Sequence, residues 1–451
     1  MTDRKEDSIV KAGFISLGCA KNLVDTEVML GLLASNGIQL IDEPKDAEIL
    51  IINTCTFIDA AKEESVNTIL ETAKYKQSGK CRALIVAGCL GQRYQQGLLD
   101  ELPEVDAVLG TGSWHRINEA IAQVLAGERV IFIGKTDTIY DENMPRIKTT
   151  PVYSSYVKVA EGCSNNCSYC VIPLVRGAFR SRTVESVVNE VKQLVAEGTK
   201  EINLIAQDTT SFGRDLSGGP QLAALLRELV KIEGLVWIRL LYCYPQYFTD
   251  EVIELIAEEP KLCKYVDLPL QHIHDDILAA MNRRDRRADI EKLLKKIRAT
   301  IKNVAIRTSF IVGFPGETEE QFQALEEFVA KTKFDHVGVF TYSREEDTVA
   351  AKMPNQIAED VKEDRYHRLM ALQSAISEEI NTALEGQAVG ILVEGRRSDD
   401  NGVVVFGRAE RQAPEIDGIV YLENAAAVKT GDFVKAKIVQ GFTYDLLAEI
   451  I

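Results

Sequence analysis

Apolar and polar positions alternate in blocks along the first part of the chain. From Ala12 onward, amphipathic helical stretches separate short apolar runs that read GFISL, EILIIN, RALIVA and DAVLG. Continuous apolar runs of this length are typical of strands buried on both faces. The pattern therefore predicts an N-terminal domain, residues 1–134, in which helices cover both faces of a parallel sheet.

A polar segment and then a longer alternation follow this domain. Lys135–Pro151 lacks periodicity and contains two prolines, so residues 135–150 are predicted to form a linker. Beyond it, helices separate six strands near YVKVA, INLIAQ, WIRLLY, YVDLPL, IRTSFIVG and HVGVFTY. Six strand–helix units predict an incomplete parallel barrel over residues 151–385, two units short of the full closure of eight. An unclosed barrel has a side opening that could admit part of a large substrate.

The pattern changes again near the carboxyl end of the sequence. A long helical run ends at Gly386, and short β segments separated by turns follow it. They predict a small five-stranded barrel of the OB type over residues 386–451, a common binding module. The fold class is thus α/β and multidomain. Three domains are also the number expected for 451 residues, since most domains contain about 100–200 residues.

Composition narrows the class of protein. Forty-six per cent of the residues are hydrophobic and 27% are charged, as in well-packed globular proteins. No apolar run is long enough to span a membrane, and the start, MTDRKEDSIVK, lacks the apolar core of a signal peptide. We therefore expect a cytoplasmic protein with no membrane partner.

The nine cysteines are the main candidates for chemistry. An odd number spread through a long chain fits reduced thiols, metal ligation or catalysis better than a disulfide framework. Three of them lie within EGCSNNCSYC, as Cys163, Cys167 and Cys170. A zinc site normally has four protein ligands, which a distant Cys243, Cys263 or histidine would have to complete. The alternative is a 4Fe-4S cluster that is held by three cysteines and leaves one iron free.

A second triad is predicted from the fold. Cys19, Cys55 and Cys89 each follow an apolar strand of the N-terminal domain. The carboxyl ends of parallel strands lie at one edge of a sheet, where ligands of open α/β folds gather. We therefore expect these three thiols to lie close together, again without a fourth.

At EGCSNNCSYC the chain resembles the radical S-adenosylmethionine enzymes. The resemblance rests on the CxxxCxxC spacing after the first barrel strand and on Tyr169 before the last cysteine. It implies that the free iron of a 4Fe-4S cluster chelates the methionine part of S-adenosylmethionine, with the aromatic side chain near the adenine. One electron from the cluster would then cleave the cofactor to a 5'-deoxyadenosyl radical.

The order of the three domains is similar to that of the methylthiotransferases, whose small C-terminal barrel is called TRAM. The resemblance covers nearly the whole chain and implies that Cys19, Cys55 and Cys89 hold a second 4Fe-4S cluster, which takes part in sulfur insertion. SLGCAKNLVDTE, GCSNNCSYCVIPLVRGAFRSR and DLPLQHIHDDILAAMNRR resemble the branch that modifies small-subunit ribosomal protein S twelve.

That branch implies β-methylthiolation of one aspartate of the ribosomal protein, free or within the small subunit. Two S-adenosylmethionine molecules would serve, one as radical source and one as methyl donor, together with a reductant such as flavodoxin. The rival substrate is a tRNA adenosine. A rival of another class is a noncatalytic zinc or iron-sulfur protein whose barrel binds RNA.

Charge favours the protein substrate. The whole chain has a formal net charge of -16, and residues 384–451 contain 11 acidic and 7 basic side chains. A barrel that grips tRNA would be expected to present a basic face, whereas an acidic one suits a basic ribosomal protein. Direct binding of nucleic acid is therefore not required.

Other positions are candidates for the cofactor site. TSFIVGFPGET resembles the adenine-binding segment of the family, which implies contacts from Ile311, Gly313 and Gly316; a turn that needs glycine dihedrals would explain the glycines equally. Polar residues at the ends of the second and third barrel strands are predicted to bind the cofactor or to make structural hydrogen bonds: Gln207, Asp208 and Arg239.

Three arginines and three further cysteines complete the candidates. Arg176, Arg180 and Arg182 either bind a carboxylate of substrate or cofactor or form a solvated basic loop. We expect ordinary core positions for Cys81, Cys243 and Cys263. His272 and His274 are expected to be loop or substrate-side residues, without a metal.

Overall fold

The computed structural model describes residues 9–399, 402–425 and 427–451. Residues 1–8, at which the absence of a signal peptide was predicted, lie outside them. None of the described helices combines the length and apolar character that a membrane crossing needs.

The N-terminal domain is a parallel sheet with helices on both faces, as predicted. Its six strands lie in the order β2-β1-β3-β4-β5-β6. The elements are β1 (Lys11–Ser16), α1 (Ala20–Ser35), β2 (Gln39–Leu40), β3 (Ile49–Thr54), α2 (Asp59–Ala73), α3 (Tyr75–Ser78), β4 (Ala83–Gly88), α4 (Cys89–Tyr94), α5 (Gln96–Glu101), β5 (Ala107–Leu109), α6 (Ile117–Leu125) and β6 (Val130–Phe132).

Alternate residues of the buried strands supply two cores. Ile49 and Ile51 of β3 pack with α1 and α6, whereas Leu50 and Ile52 pack with α2 and α5. The first two turns of helix α1 carry polar side chains on a buried face.

Residues 135–150, the segment predicted as a linker, contain neither helix nor strand. The segment is nevertheless fastened at both sides. Arg146 Nε donates to Glu27 Oε2 of α1 at 2.8 Å, and its Nη1 donates to Glu190 Oε1 at 2.6 Å. The linker therefore works as a strap that ties the first domain to the second.

The second domain is the predicted open barrel. Its elements are β7 (Ser154–Lys158), β8 (Ala160–Glu161), α7 (Ile172–Arg176), β9 (Arg180–Ser181), α8 (Val184–Ala196), β10 (Glu201–Ile205), α9 (Leu222–Leu229), β11 (Trp237–Leu240), α10 (Asp250–Glu258), β12 (Tyr265–Asp267), α11 (Asp275–Ala280), α12 (Arg287–Thr300), β13 (Ala305–Val312), α13 (Glu319–Thr332), β14 (His336–Thr341) and α14 (Glu359–Thr382). The parallel trios β7-β10-β11 and β12-β13-β14 meet at a single bridge between Ile238 and Leu262.

The N-terminal domain also reaches the far edge of this barrel. Arg93, in α4, donates to Glu345 Oε2 at 2.7 Å, and Lys62 Nζ lies 3.0 Å from the same oxygen. Glu345 follows β14, the last strand of the barrel, and its side chain is only 1% exposed. The first domain thus contacts the barrel both near β7 and beyond β14, on either side of its opening.

The C-terminal domain is a closed five-stranded barrel in the order β15-β16-β17-β19-β18. Its strands are β15 (Ala388–Asp399), β16 (Gly402–Ala409), β17 (Val420–Glu423), β18 (Phe433–Gly441) and β19 (Leu446–Ile450).

One segment of this small barrel enters the base of the larger one. Arg408 Nη2 donates to Glu201 Oε2, at the start of β10, at 2.6 Å, and Tyr265 donates to Asp417 Oδ2 at 2.7 Å. Ala413, between them, is fully buried. Residues 408–417 therefore close the amino-terminal end of the large barrel.

Candidate functional site

Three cysteines from separate strands meet at one edge of the first sheet, as predicted. Cys19 follows β1 and caps α1, Cys55 follows β3, and Cys89 is the first residue of α4 after β4. The three strands are neighbours. A Cβ at Gly18 would lie 3.1 Å from the Sγ of Cys55, so the loop that leads to Cys19 passes directly beside that thiol. We call this group the first site.

Asn22 organises the loops of the first site. Its Nδ2 donates to the carbonyls of Leu17 at 3.0 Å and Thr54 at 2.9 Å, just before Cys19 and Cys55. Its Oδ1 lies 3.7 Å from the Sγ of Cys89. One fully buried amide side chain thus holds the backbone before Cys19 and Cys55 and contacts the thiol of Cys89.

The second site is the loop that holds Cys163, Cys167 and Cys170, and backbone and side-chain bonds surround it. Cys163 N–H donates to the carbonyl of Gly177 at 3.1 Å, and Ser168 N–H donates to that of Met281 at 3.0 Å. Asn165 Nδ2 donates to Asp208 Oδ2 at 2.8 Å. All three thiols are free and half-buried. Hydrogen bonds from three separate segments of the barrel therefore hold the loop.

A buried ionic network lies between the two sites. Arg176 Nη1 donates to Asp25 Oδ2 at 2.8 Å and to both carboxylate oxygens of Glu161 at 3.1 Å. Lys158 Nζ donates to Glu161 Oε2 at 2.6 Å and also to Asp25. The charges of two cations and two carboxylates thus cancel, and one of the carboxylates, Asp25, comes from the first domain.

The network corrects the predictions for the arginine run. Arg176 and Arg182 are only 2% and 3% exposed, and carboxylates of the protein itself, including Glu190 for Arg182, bind them. They neither form a solvated loop nor are free to bind an external carboxylate. Arg180 is half-buried and donates to backbone carbonyls, among them that of Ala178 at 2.5 Å.

The thiols of the two sites differ in ionisation. Desolvation opposes ionisation of Cys19, but the cations of Lys21 and Arg176 outweigh it and lower the pKa of this thiol. Burial raises the pKa of Cys89 to about 12 against the charge of Arg176. In the second site, burial raises the pKa of Cys163 to about 11. Metal binding needs thiolates, so loading of either site is expected to release protons.

The donor chemistry of both triads fits iron-sulfur clusters. Thiolates are soft ligands and select zinc, copper(I) or such clusters. Within residues 9–399, 402–425 and 427–451 no three cysteine, histidine or carboxylate side chains are placed to hold a single metal ion. In a four-iron cluster each cysteine binds a different iron, so its ligands lie farther apart than those of one ion.

Part of the predicted cofactor segment lies beside the second site. Tyr169 and Ile311 pack against the same small apolar cluster, which includes the fully buried Phe314. Gly313 has a φ of 72°, and a Cβ there would lie 2.3 Å from Lys362 Cγ. Gly316 also has a positive φ, with open space where a Cβ would be. Both glycines meet the needs of the turn itself.

Glu317 explains the rest of this turn. It accepts hydrogen bonds from the backbone N–H of Gly313 and from Arg365, the latter at 2.8 Å. His272 Nδ1 accepts from the N–H of His274 at 3.0 Å, so Nε2 carries the proton and donates to Glu317 at 3.0 Å. His272 lies in a loop, one of the two alternatives predicted for it, and its fully buried side chain holds the turn.

The predicted strand-end residues divide into two groups. Gln207 Nε2 donates to Glu161 Oε1 at 2.8 Å, whereas its buried Oε1 has no partner among the described residues. Asp208 accepts from the hydroxyl of Ser211 at 2.7 Å and holds Asn165 of the second site. Gln207 and Asp208 thus lie beside the second site.

Arg239 does not lie there. It is fully buried, donates to the carbonyl of Glu410 at 2.6 Å and lies 3.3 Å from Glu201, at the opposite end of the barrel. The prediction that Arg239 contacts the cofactor is therefore wrong, because the segment that enters the base of the barrel binds its guanidinium.

The remaining cysteines are core residues. Cys81, Cys243 and Cys263 are 6%, 2% and 2% exposed and belong to separate apolar clusters, as predicted.

Sequence reasoning missed Asn22 and the buried roles of Asp25, Glu161 and Arg176. A signal was present in SLGCAKNLVDTE, where charged and polar residues recur just after a candidate ligand. The first turns of α1 bury Lys21, Asn22, Asp25 and Glu27, and such residues are seldom buried unless they are paired.

Family models match three successive parts of the chain. Residues 11–110 match the uncharacterized protein family UPF0004, residues 157–329 the radical SAM superfamily and residues 386–451 the TRAM domain. Each range falls within one of the three domains described above.

Curated relatives match along the whole length. The ribosomal protein uS12 methylthiotransferase RimO of Geobacter sulfurreducens is 51% identical over 100% of this chain and 100% of its own. The protein of the same name from Desulforamulus reducens is 52% identical over 97% of this chain and 99% of its own.

Solved structures share the fold. The radical S-adenosylmethionine methyltransferase TsrM of Kitasatospora setae aligns with a TM-score of 0.56 and 14% identity, over 82% of this chain and 90% of that one. The cobalamin-dependent S-adenosylmethionine radical enzyme OxsB aligns with a TM-score of 0.50 and 11% identity, over 82% and 56%. Likeness at such low identity concerns the fold alone.

Proposed function

The chain belongs to the ribosomal protein uS12 methylthiotransferase family, and from this premise we propose that it catalyses β-methylthiolation of one aspartate of uS12. It is an enzyme, a methylthiotransferase of the radical S-adenosylmethionine superfamily. The observation that carries the assignment is identity of about half, over the full length, with relatives that bear this name.

We propose that each cysteine triad holds a 4Fe-4S cluster. Cys19, Cys55 and Cys89 would hold the first and Cys163, Cys167 and Cys170 the second; three free thiols converge in each region, which supports the assignment. With S-adenosylmethionine bound, the second cluster would supply the one-electron chemistry that removes hydrogen from an unactivated carbon, and a second S-adenosylmethionine molecule would supply the methyl group.

Side chains around the second site are suited to orient the cofactor. We propose that Tyr169 and Ile311 offer it an apolar surface, since both line one cluster beside the loop. Gln207 is the candidate for a polar contact because its buried Oε1 has no hydrogen-bond partner among the residues that the structure describes. Asp208 would act through Asn165 as a positioning residue. Gly313 and Gly316 would give the turn its shape, and any contact they make would come from the backbone.

We assign binding of the substrate protein to the C-terminal domain. That domain has an excess of acidic side chains, which suits a basic ribosomal protein. An open groove of about 760 Å³ on it is lined by Val404, Tyr421 and Glu423, among others. We further propose that uS12 reacts in the cytoplasm, free or within the small subunit, with an external reductant such as flavodoxin.

An anaerobic assay with competing substrates tests this function. The reconstituted chain, S-adenosylmethionine and reductant would be mixed with free uS12, small subunits and tRNA. We expect mass spectrometry to find one added methylthio group on an aspartate of uS12. Modified tRNA adenosine together with unmodified uS12 would overturn the choice of substrate.

A further inference from the structure

Arg176 connects the two cysteine sites through its position in the chain. It ends α7, the short helix that begins two residues after Cys170. The next residue, Gly177, accepts the N–H of Cys163 at 3.1 Å. The backbone on both sides of Arg176 is therefore tied to the second site.

Its side chain ends at the first site. Nη2 donates to Asn22 Oδ1 and lies 3.6 Å from the Sγ of Cys89. The side chain is 2% exposed, so water screens this contact little. A single residue thus spans from the loop of one triad to a thiol of the other.

The carboxylates that bind Arg176 do not give its surroundings a net negative charge. Asp25 and Glu161 are shared with Lys158, so the four groups together are neutral. A cysteine thiolate adds one more negative charge beside Nη2. A hydrogen bond to an ionised acceptor is shorter and stronger than one between neutral groups.

We propose that Arg176 is a positioning residue that donates to the Cys89 thiolate. It fixes the position of the first cluster relative to the second and raises the reduction potential of the first cluster. The inference rests on the proposed cluster ligands. Hydrogen bonds to the sulfurs and the charge around a cluster set its potential. Reduction makes the cluster more negative, so a neighbouring cation favours the reduced form.

The test isolates the first cluster in the full-length chain. Cys163, Cys167 and Cys170 are all changed to alanine, and the midpoint potential of the remaining cluster is measured by a titration followed by electron paramagnetic resonance. In this background, Arg176→Gln keeps a donor but loses the charge, and we expect a more negative midpoint. Arg176→Lys keeps the charge without the planar fork, and we expect an intermediate value.

Arg182→Gln is the matched control. Arg182 belongs to the same basic run and is equally buried. Its side chain donates to the backbone carbonyl of Lys158, the hydroxyl of Ser186 and the carboxylate of Glu190. We expect its loss to lower stability and to leave the midpoint unchanged. Equal midpoints in Arg176→Gln and the parent, or equal shifts in both glutamine variants, would overturn the inference.

The outcomes separate this inference from the proposed function. If the parent with three alanines binds no iron and sulfide, the assignment of the first site fails. If the parent binds its cluster and Arg176 has no effect on its potential, only the present inference fails. Should Arg176→Gln fail to fold, Arg176→Lys still decides, because an unchanged midpoint together with unchanged iron content contradicts a role for the guanidinium.

Discussion

The first site takes its cysteines from the ends of three strands, whereas the second takes them from one loop of eight residues. Asn22 and Arg176, both fully or almost fully buried, hold the first site together from two domains. Backbone bonds of the loop hold the second. Three thiols can thus be brought together by the topology of a sheet or by local sequence. The two arrangements depend on different supporting residues, so different substitutions should disrupt them.

The largest expected effect separates the roles of the sites. Cys163→Ala should abolish cleavage of S-adenosylmethionine, because we propose that the second site binds this cofactor. Cys55→Ala should retain cleavage and lose methylthio transfer. Quantifying 5'-deoxyadenosine and modified uS12 from the same reactions measures both. An equal loss of cleavage in the two variants would contradict separate roles.

A smaller effect is expected from the amides that support the sites. Asn22→Ala leaves the buried carbonyl of Thr54 and the partly buried carbonyl of Leu17 without their donor, and the buried one costs on the order of 1–3 kcal/mol. We expect the iron content to fall by about half, since the loops of the first site lose their anchor while the second keeps its own.

Asn165→Ala is the counterpart in the second site, where the half-buried amide makes one bond to Asp208. Iron analysis and thermal unfolding of both variants would compare them. If Asn165→Ala lost as much iron as Asn22→Ala, support from distant residues would not distinguish the first site.

How far the sequence predicts the two sites follows from the same difference. The spacing of Cys163, Cys167 and Cys170 needs no fold to be recognised, and strand ends were enough to bring Cys19 near Cys55. The partners of Arg176 and Arg239 could not be predicted, because they come from elements far away in the chain. Periodicity identifies a strand, but it does not say which other domain will bind a side chain at its end.

Ionisation offers a sharper, though smaller, contrast. In the chain without metal, the lowered pKa of Cys19 keeps more of this thiol as thiolate near neutral pH, whereas Cys163, with a pKa of about 11, and Cys89 stay protonated. Thiolates are the form that alkylates. We expect iodoacetamide to label Cys19 first at pH 7–8, and labelling of Cys163 to rise toward pH 11.

Peptide mass spectrometry over a range of pH measures these rates. Cys19 is also more exposed than Cys89, so the comparison rests on the pH dependence of each thiol and not on rates at one pH. Parallel pH profiles for Cys19 and Cys163 would contradict the difference in their environments.

A substitution at the base of the barrel is expected to have the smallest effect on the iron content of either site. Burial opposes the ionisation of Glu201, but Arg408 and then Arg239 outweigh it and lower its pKa to about 2. An unfolded glutamate titrates near 4.3, so this carboxylate stabilises the fold above that pH and loses the effect as the pH falls toward 2. The linkage amounts to about 3 kcal/mol.

Glu201→Gln should therefore flatten the acid dependence of the free energy of unfolding and leave the iron content of both sites equal. Urea unfolding of the metal-free chain between pH 5 and pH 2.5 would measure it. A selective loss of iron from one site would show that the base of the barrel is coupled to that site.

The segment that closes the base also has a consequence for biosynthesis. Residues 408–417 are translated after every strand of the large barrel, yet Glu201, Arg239 and Tyr265 find their partners in them. During elongation these groups face water in an unfinished cavity, although domains generally fold as they leave the ribosome. The amino-terminal end of the nascent barrel therefore stays uncovered until residues 408–417 have been synthesised.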